Sequence, residues 1–325
     1  MHGGNPKAFS TSLQHVFASN HNKAVTYSGF TPQNTVDKWY KSSLVSKFLN
    51  YDLRVASTRS FEKNVPFYRD KFSEILENSA LPNLISSENL MMRFSFAEIE
   101  VEEKLARLAR TFESISAVKL IGVFRPILSS CQSIYLEYLK QGYTEDFTYF
   151  QSESQLLADS NFIDSLFPGY ICKLCEGIPN IDFVFVAATE GNLADKLAAG
   201  FKSLLPDLNF DVLPRMNINQ NRGEYLSLME HNRTHYNLAD TLGLIENHRV
   251  LWHEAASEDV RWQKLRARND IRESMVKQST THHNLPAFKS EFRDFIADRW
   301  AIYGGAALEN PQACIAGQTS DLLDL

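Results

Sequence analysis

Two runs constrain the fold most: Ala117-Val-Lys-Leu-Ile-Gly-Val-Phe124 and Ile181-Asp-Phe-Val-Phe-Val-Ala187, both apolar almost throughout. A strand with one wet face alternates polar and apolar residues. A strand covered on both faces loses that alternation, because both sets of side chains must leave water. Helices have to supply the cover, and helical spacing surrounds both runs. Over residues 98 to 114, Ile99, Val101, Leu105, Leu108 and Phe112 share an amphipathic pattern with Glu102, Glu103, Lys104 and Arg107. After Phe124 the chain reads Arg125-Pro126, and proline is favoured at a helix's first position. That helix continues through Leu128, Ile134, Tyr135, Tyr138 and Leu139 to Gly142.

Further helices are expected over 10 to 17, 34 to 52, 66 to 78, 162 to 175 and 193 to 205, with short strands at 24–27, 84–86 and 210–213. Strands alternating with helices predict an α/β fold with a central parallel sheet flanked by helices, and ligands at the carboxyl ends of the strands. From residue 224 only helical patterns follow, including a long one from 248 to 277 and another from 287 to 302. No repeat or low-complexity linker interrupts the chain. The expectation is one domain over residues 1–303 and a patternless C-terminal tail over 304–325.

The composition excludes several classes of function. With 325 residues, 44% hydrophobic and 22% charged, the chain has the make-up of a globular protein able to bury a core. A net charge of −6 argues against a general nucleic-acid binder. No apolar run approaches the roughly 20 residues that a membrane helix needs. The chain opens directly into a loop, so no signal peptide or anchor is expected. Cys172-Lys-Leu-Cys175 has no second pair to complete a structural zinc site. Reduced, buried thiols and a cytoplasmic location are expected instead. Asn232-Arg-Thr234 matches a glycosylation sequon by pattern alone.

The chemistry is concentrated at the start. Gly3, Gly4, Asn5 and Pro6 make a kinkable segment that runs into Lys7 and then into the hydroxyls of Ser10, Thr11 and Ser12. Leu13, Val16 and Phe17 then fall at helical spacing. A loop ending in a helix start presents free N–H groups and the positive end of the macrodipole, which suits a phosphate, and Lys7 adds a mobile charge. Three residues separate Lys7 from Thr11, so this is not the G-x-x-x-x-G-K-[ST] loop of nucleotide triphosphatases. Two further groups follow apolar strands: Ser87-Glu88, and Arg125 with Ser133 eight residues on. A guanidinium and a hydroxyl two helical turns apart suit an anionic group.

These residues together resemble the sulfotransferase family that uses 3′-phosphoadenosine 5′-phosphosulfate (PAPS). Pro6-Lys7-Ala8-Phe9-Ser10-Thr11-Ser12-Leu13-Gln14 is similar to its 5′-phosphosulfate loop, P-K-x-x-[ST]-T-S-L-Q. Arg125-Pro-Ile-Leu-Ser-Ser-Cys-Gln-Ser133, with Tyr135 after it, is similar to its 3′-phosphate motif. Val186-Ala-Ala-Thr-Glu190, Leu213-Pro-Arg-Met-Asn217 and His248-Arg-Val-Leu-Trp252 resemble the distal part of bacterial-type members acting on glycans or other small hydroxyl acceptors. The resemblance covers residues 1 to about 265. It implies a three-layer, P-loop-like fold.

The resemblance also implies roles. The 5′-phosphate falls to the backbone N–H groups of Ala8, Phe9, Ser10, Thr11 and Ser12 with the three hydroxyls, and the 3′-phosphate to Arg125 and Ser133. Lys7 is implied beside the oxygen bridging phosphate and sulfate, where in-line transfer builds negative charge. Glu88 is the candidate general base, with His2 as the runner-up. No metal is implied, and the partner is a small-molecule or glycan hydroxyl acceptor, neither nucleic acid nor membrane.

Two departures from the family pattern stand out. Only Met1 and His2 precede Gly3, so a truncated gene start or a very short first strand is expected, and Phe9 stands where many members have glycine. The basic stripe Arg261, Lys264, Arg268 and Arg272 reads as a solvated helix face, with binding of an acidic glycan or the donor as the alternative, and Arg215 and Asn217 as candidate substrate contacts. The leading expectation is a PAPS-dependent sulfotransferase. The alternative is a degenerate nucleotide- or partner-binding protein without transferase activity. A magnesium-dependent kinase is disfavoured by the missing G-K-[ST] and metal carboxylate.

Overall fold

The computed structural model describes residues 1–4, 10–29, 43–54, 56–87, 90–92, 99–115, 118–140, 143–156, 163–187, 193–210, 229–230, 232–233, 285–309, 314–316 and 322–323. The chain forms two compact units. The first takes Met1–Ser130, Ser160–Asn217 and Ala297–Leu325; the second takes Cys131–Asp159 and Ile218–Ile296.

The first unit is built on a parallel sheet of strands β1 (His2–Gly4), β2 (Thr26–Gly29), β3 (Asn83–Ser86), β4 (Val118–Phe124), β5 (Ile181–Ala187) and β6 (Cys314–Ala316), in the order β2-β3-β1-β4-β5-β6. The two apolar runs are β4 and β5, and they pair along their whole length, from Val118↔Ile181 to Phe124↔Ala187. Each has one exposed residue, Lys119 and Asp182, and these are register partners near the amino ends. Opposite charges across a strand pair stabilise it modestly. Every other position of both strands is buried, as the missing alternation predicts.

Helices α1 (Ser10–Ser19), α2 (Ser43–Lys47), α3 (Thr58–Glu77), α4 (Val101–Thr111), α7 (Pro168–Glu176) and α8 (Leu193–Leu204) flank the sheet. Leu13 and Phe17 of α1, with Leu197 and Phe201 of α8, join Tyr27, Leu84, Ile121, Val123, Val184 and Val186 in one hydrophobic cluster. The alternate β4 and β5 positions supply a second aromatic set, with Phe124 edge-on to Phe183 at 6.2 Å and to Phe185 at 6.0 Å.

Helix α3 starts earlier than its sequence suggests. Pro66 reads as a first-turn proline, but the helix begins at Thr58 behind Ser57, whose hydroxyl accepts from the Ser60 N–H at 3.2 Å. Pro66 therefore lies inside it, among the buried stripe Phe61, Val65, Tyr68 and Phe72 whose packing holds the helix through the lost donor. Behind α3 a π-helical turn, Phe48–Asp52, is tied in by buried Arg107 of α4. Its guanidinium donates to the carbonyls of Asp52 at 2.6 Å and Ala56 at 2.8 Å, to Glu103 at 2.8 Å, and lies 4.9 Å from the Phe61 ring centre.

The second unit contains most of α5 (Ile127–Lys140), then α6 (Phe147–Leu156) and the start of α9 (Ser290–Glu309). Its core is aromatic: Tyr135 packs on Phe147 at 5.1 Å and Phe150 at 5.4 Å, and Phe147 on Phe288 at 5.1 Å. Asn232 is fully buried, and its amide donates to the carbonyls of Leu139 and Tyr143, both at 2.8 Å. The sequon asparagine is thus a core strut in the folded chain. Within the segment after residue 304, α9 runs to Glu309, and Cys314–Ala316 adds a strand beside β5. Residues 210–213 extend beyond the described chain after Phe210; Arg215, Asn217 and the basic stripe at 261–272 lie outside it.

Candidate anion site at the carboxyl ends of the central strands

Strand β1 is three residues long and sits between β3 and β4. Its pairing is His2↔Ile121, Gly3↔Gly122 and Gly4↔Val123 on one side and His2↔Ser86 on the other. From β1 the chain runs outward to β2, and from β4 it runs the opposite way to β5. Such a reversal opens a crevice at the strands' carboxyl ends, the usual ligand position in a parallel α/β sheet.

Three of the sequence's candidate segments leave the sheet there. β1 ends at Gly4, beside Val123, and α1 begins at Ser10. Arg125 lies two residues past Val123, so its Cα is about 8 Å from that of Gly4 by ordinary sheet dimensions. Ser87 follows β3, and its N–H donates to the His2 carbonyl at 3.0 Å. Strands β3, β1 and β4 are neighbours, so these three exits are consecutive along one edge of the sheet.

Ser10, Thr11 and Ser12 form the first turn of α1, and Ser12 is buried. Lys7, Ala8, Phe9 and Glu88 lie outside the described residues. Arg125 is half-buried, and its Nη2 donates to the Ser129 hydroxyl at 2.6 Å. Sequence reasoning paired this arginine with Ser133 and passed over Ser129. The missed signal is spacing, since residues four apart on a helix share a face. Ser133 is buried further along the same continuous helix, within the second unit. Tyr135 is a core residue there, its hydroxyl donating to the Glu145 carbonyl at 3.1 Å.

His2 does not face the crevice as a base. Its ring is fully buried, edge-on to Phe17 at 5.4 Å and Phe201 at 5.8 Å, and its Nδ1 hydrogen-bonds the Ser86 hydroxyl at 2.7 Å. Burial pushes its pKa down to about 3. An imidazole closed in by two phenyl rings cannot reach an acceptor hydroxyl, and this removes the runner-up base.

Cys172 and Cys175 are buried on α7, and burial raises the Cys175 thiol to about 12. Among the described residues no helix is long and apolar enough to cross a membrane. Comparison with models of known families, with curated proteins and with solved structures finds no match.

Proposed function

We propose that this chain is a sulfotransferase that moves a sulfuryl group from PAPS to a hydroxyl acceptor, on a three-layer, P-loop-like fold. The observation that carries the reading is the β1–β4 register. Pairing of Gly4 with Val123 brings the exit of the glycine-proline loop and the strand end before Arg125 to adjacent positions in one crevice. An adenosine carrying anions at both its 3′ and 5′ positions needs two cationic cradles on one side of a sheet, and the adjacency of the Gly4 and Val123 strand ends supports such a pair.

In this reading the loop's N–H groups and the start of α1 hold the 5′-phosphosulfate, while Arg125 and Ser133 hold the 3′-phosphate. The acceptor oxygen attacks sulfur in line as the bond from sulfur to the bridging oxygen breaks. Lys7 stabilises the charge that builds on the bridging oxygen, and Glu88 takes the acceptor's proton. The products are a sulfate ester and adenosine 3′,5′-bisphosphate. No metal is required, the acceptor is a small molecule or a glycan, and the enzyme is cytoplasmic.

Thermal unfolding with added nucleotide tests the reading. A ligand at 100 times its Kd stabilises the folded state by about 2.7 kcal/mol. Adenosine 3′,5′-bisphosphate should raise Tm, adenosine 5′-monophosphate should raise it less, and ATP with magnesium should not. Absence of a bisphosphate shift at millimolar concentration overturns the proposal. A bisphosphate shift without sulfate transfer across a broad acceptor panel would instead favour the binding-only alternative.

A further inference from the structure

Three residues make a very short central strand, and among the described residues β1 shares one register pair with β3, His2↔Ser86. That pair is joined twice. The Ser87 N–H donates to the His2 carbonyl, and the His2 ring bonds the Ser86 hydroxyl at 2.7 Å across the strands. The ring packs edge-on against Phe17 of α1 and Phe201 of α8, which also touch each other, and its Nε2 is buried without a hydrogen-bond partner. Leaving a ring nitrogen orphaned is unfavourable, and a phenyl ring would fill the same space without that cost. A histidine here is therefore poorly explained by packing alone. What it adds over a phenyl ring is the bond to Ser86. A one-residue slip of a strand reverses every side chain, and the bond to Ser86 adds a side-chain tie to the backbone pairing that resists it.

We propose that His2 is a positioning residue: through Ser86 it fixes β1 against β3, and so fixes the strand end at Gly4 relative to the strand end at Ser87. The inference rests on the nucleotide-binding reading for its functional consequence, but the strut itself can be measured without a ligand. His2 touches no reacting atom; it acts through the two strand ends.

The test uses the full chain and the variants His2→Phe, Ser86→Ala and the double variant. His2→Phe removes the orphaned nitrogen but leaves the buried Ser86 hydroxyl without its partner. It is therefore the double variant, with both polar groups gone, that should be at least as stable as the parent. His2→Phe should bind adenosine 3′,5′-bisphosphate about five-fold more weakly, the scale of one lost hydrogen bond. Ser86→Ala should show the same weakening, and the double variant no further loss. Stability that holds while affinity falls is not what a purely structural role produces. Independently, imidazole 15N spectra of the parent should show a single neutral tautomer of His2 from pH 5 to 8, and the Ser87 amide should exchange faster in His2→Phe. Parent-like bisphosphate affinity in both single variants overturns the proposal. If the parent itself binds no bisphosphate, the nucleotide reading falls, and the exchange data decide: unchanged Ser87 exchange, or a mixture of tautomers, overturns the strut as well.

Discussion

Gly122 lies at the centre of β4, facing Gly3 of β1 on one side and Phe185 of β5 on the other. A methyl group added there would sit 2.5 Å from Cε2 of Phe124, 3.0 Å from Cε2 of Phe183 and 3.1 Å from Cε of Met91. The last two neighbours need to yield only a few tenths of an ångström. The Phe124 ring would have to move by about 1 Å to regain ordinary carbon–carbon contact. It is fully buried and flanked by Phe183 and Phe185, so it has little room to turn. Overpacking of this kind costs about 1–3 kcal/mol. Replacing glycine returns about 0.4–1 kcal/mol by restricting the unfolded chain. The net expectation for Gly122→Ala is a loss of about 1–2 kcal/mol, read as a lower urea midpoint at unchanged slope. If the Phe124 ring is the obstacle, Phe124→Leu should absorb the methyl. A double-mutant cycle should then return a favourable coupling of at least about 0.5 kcal/mol. Stability of Gly122→Ala equal to or above the parent, or simple additivity with Phe124→Leu, refutes the reasoning. Phe124 directly precedes Arg125, so the alanine variant should also weaken bisphosphate binding.

Arg107→Met strips the donors from the buried carbonyls of Asp52 and Ala56, and should cost about 3 kcal/mol in urea unfolding at 1–3 kcal/mol per orphaned acceptor; a loss below about 1 kcal/mol counts against the clamp. The unfolded chain protonates His2 near its ordinary 6.5, while the folded chain resists protonation down to about 3. Nothing is lost above pH 6.5; between 6.5 and 3 the unfolded state gains the proton, and this one site lowers stability by up to about 1.4 kcal/mol per pH unit. His2→Phe should flatten that acid limb, and identical slopes for the two proteins between pH 6.5 and 4 refute it. Cys131, Cys172 and Cys175 are all buried, with the Cys175 thiol raised by burial, so a thiol reagent at pH 8 should label none of them in the native protein and all of them in urea.

The legible parts of this fold are those where one local signal met no competitor. β4 and β5 declare themselves because both faces are buried, and Pro126 marks the approach to α5 because nothing downstream offers a rival start. α3 misleads because a proline that suits a first turn sits mid-helix, held by long-range packing that local spacing does not encode. β1 is nearly invisible: Gly3 and Gly4 carry no strand propensity, and the strand exists because Gly122 and Ser86 lie beside it. β6 likewise forms only by pairing with an already built β5. At the candidate site, the convergence of the loop exit, Ser87 and Arg125 follows from sheet order, which the rule about strand carboxyl ends anticipates. The partner of Arg125 does not follow, since Ser129, Ser130 and Ser133 are alike in sequence and only the guanidinium's reach selects Ser129. The burial of His2 is hidden for a related reason, because a histidine beside two glycines reads as polar until two distant phenyl rings close over it.

The placement of β1 also dictates an order of assembly. Residues 2–4 are synthesised long before residue 86 and residues 121–123, the neighbours that complete their hydrogen bonds. Contacts of such wide sequence separation form slowly, because loop-closure entropy must be overcome before they stabilise anything. The middle of the sheet should therefore close late, as should the still more widely separated β5–β6 edge: β3 and β4 are joined only once the early segment pairs between them. Until it does, Gly4 is not fixed beside Val123, and any phosphate-binding competence should appear only after β1 has paired.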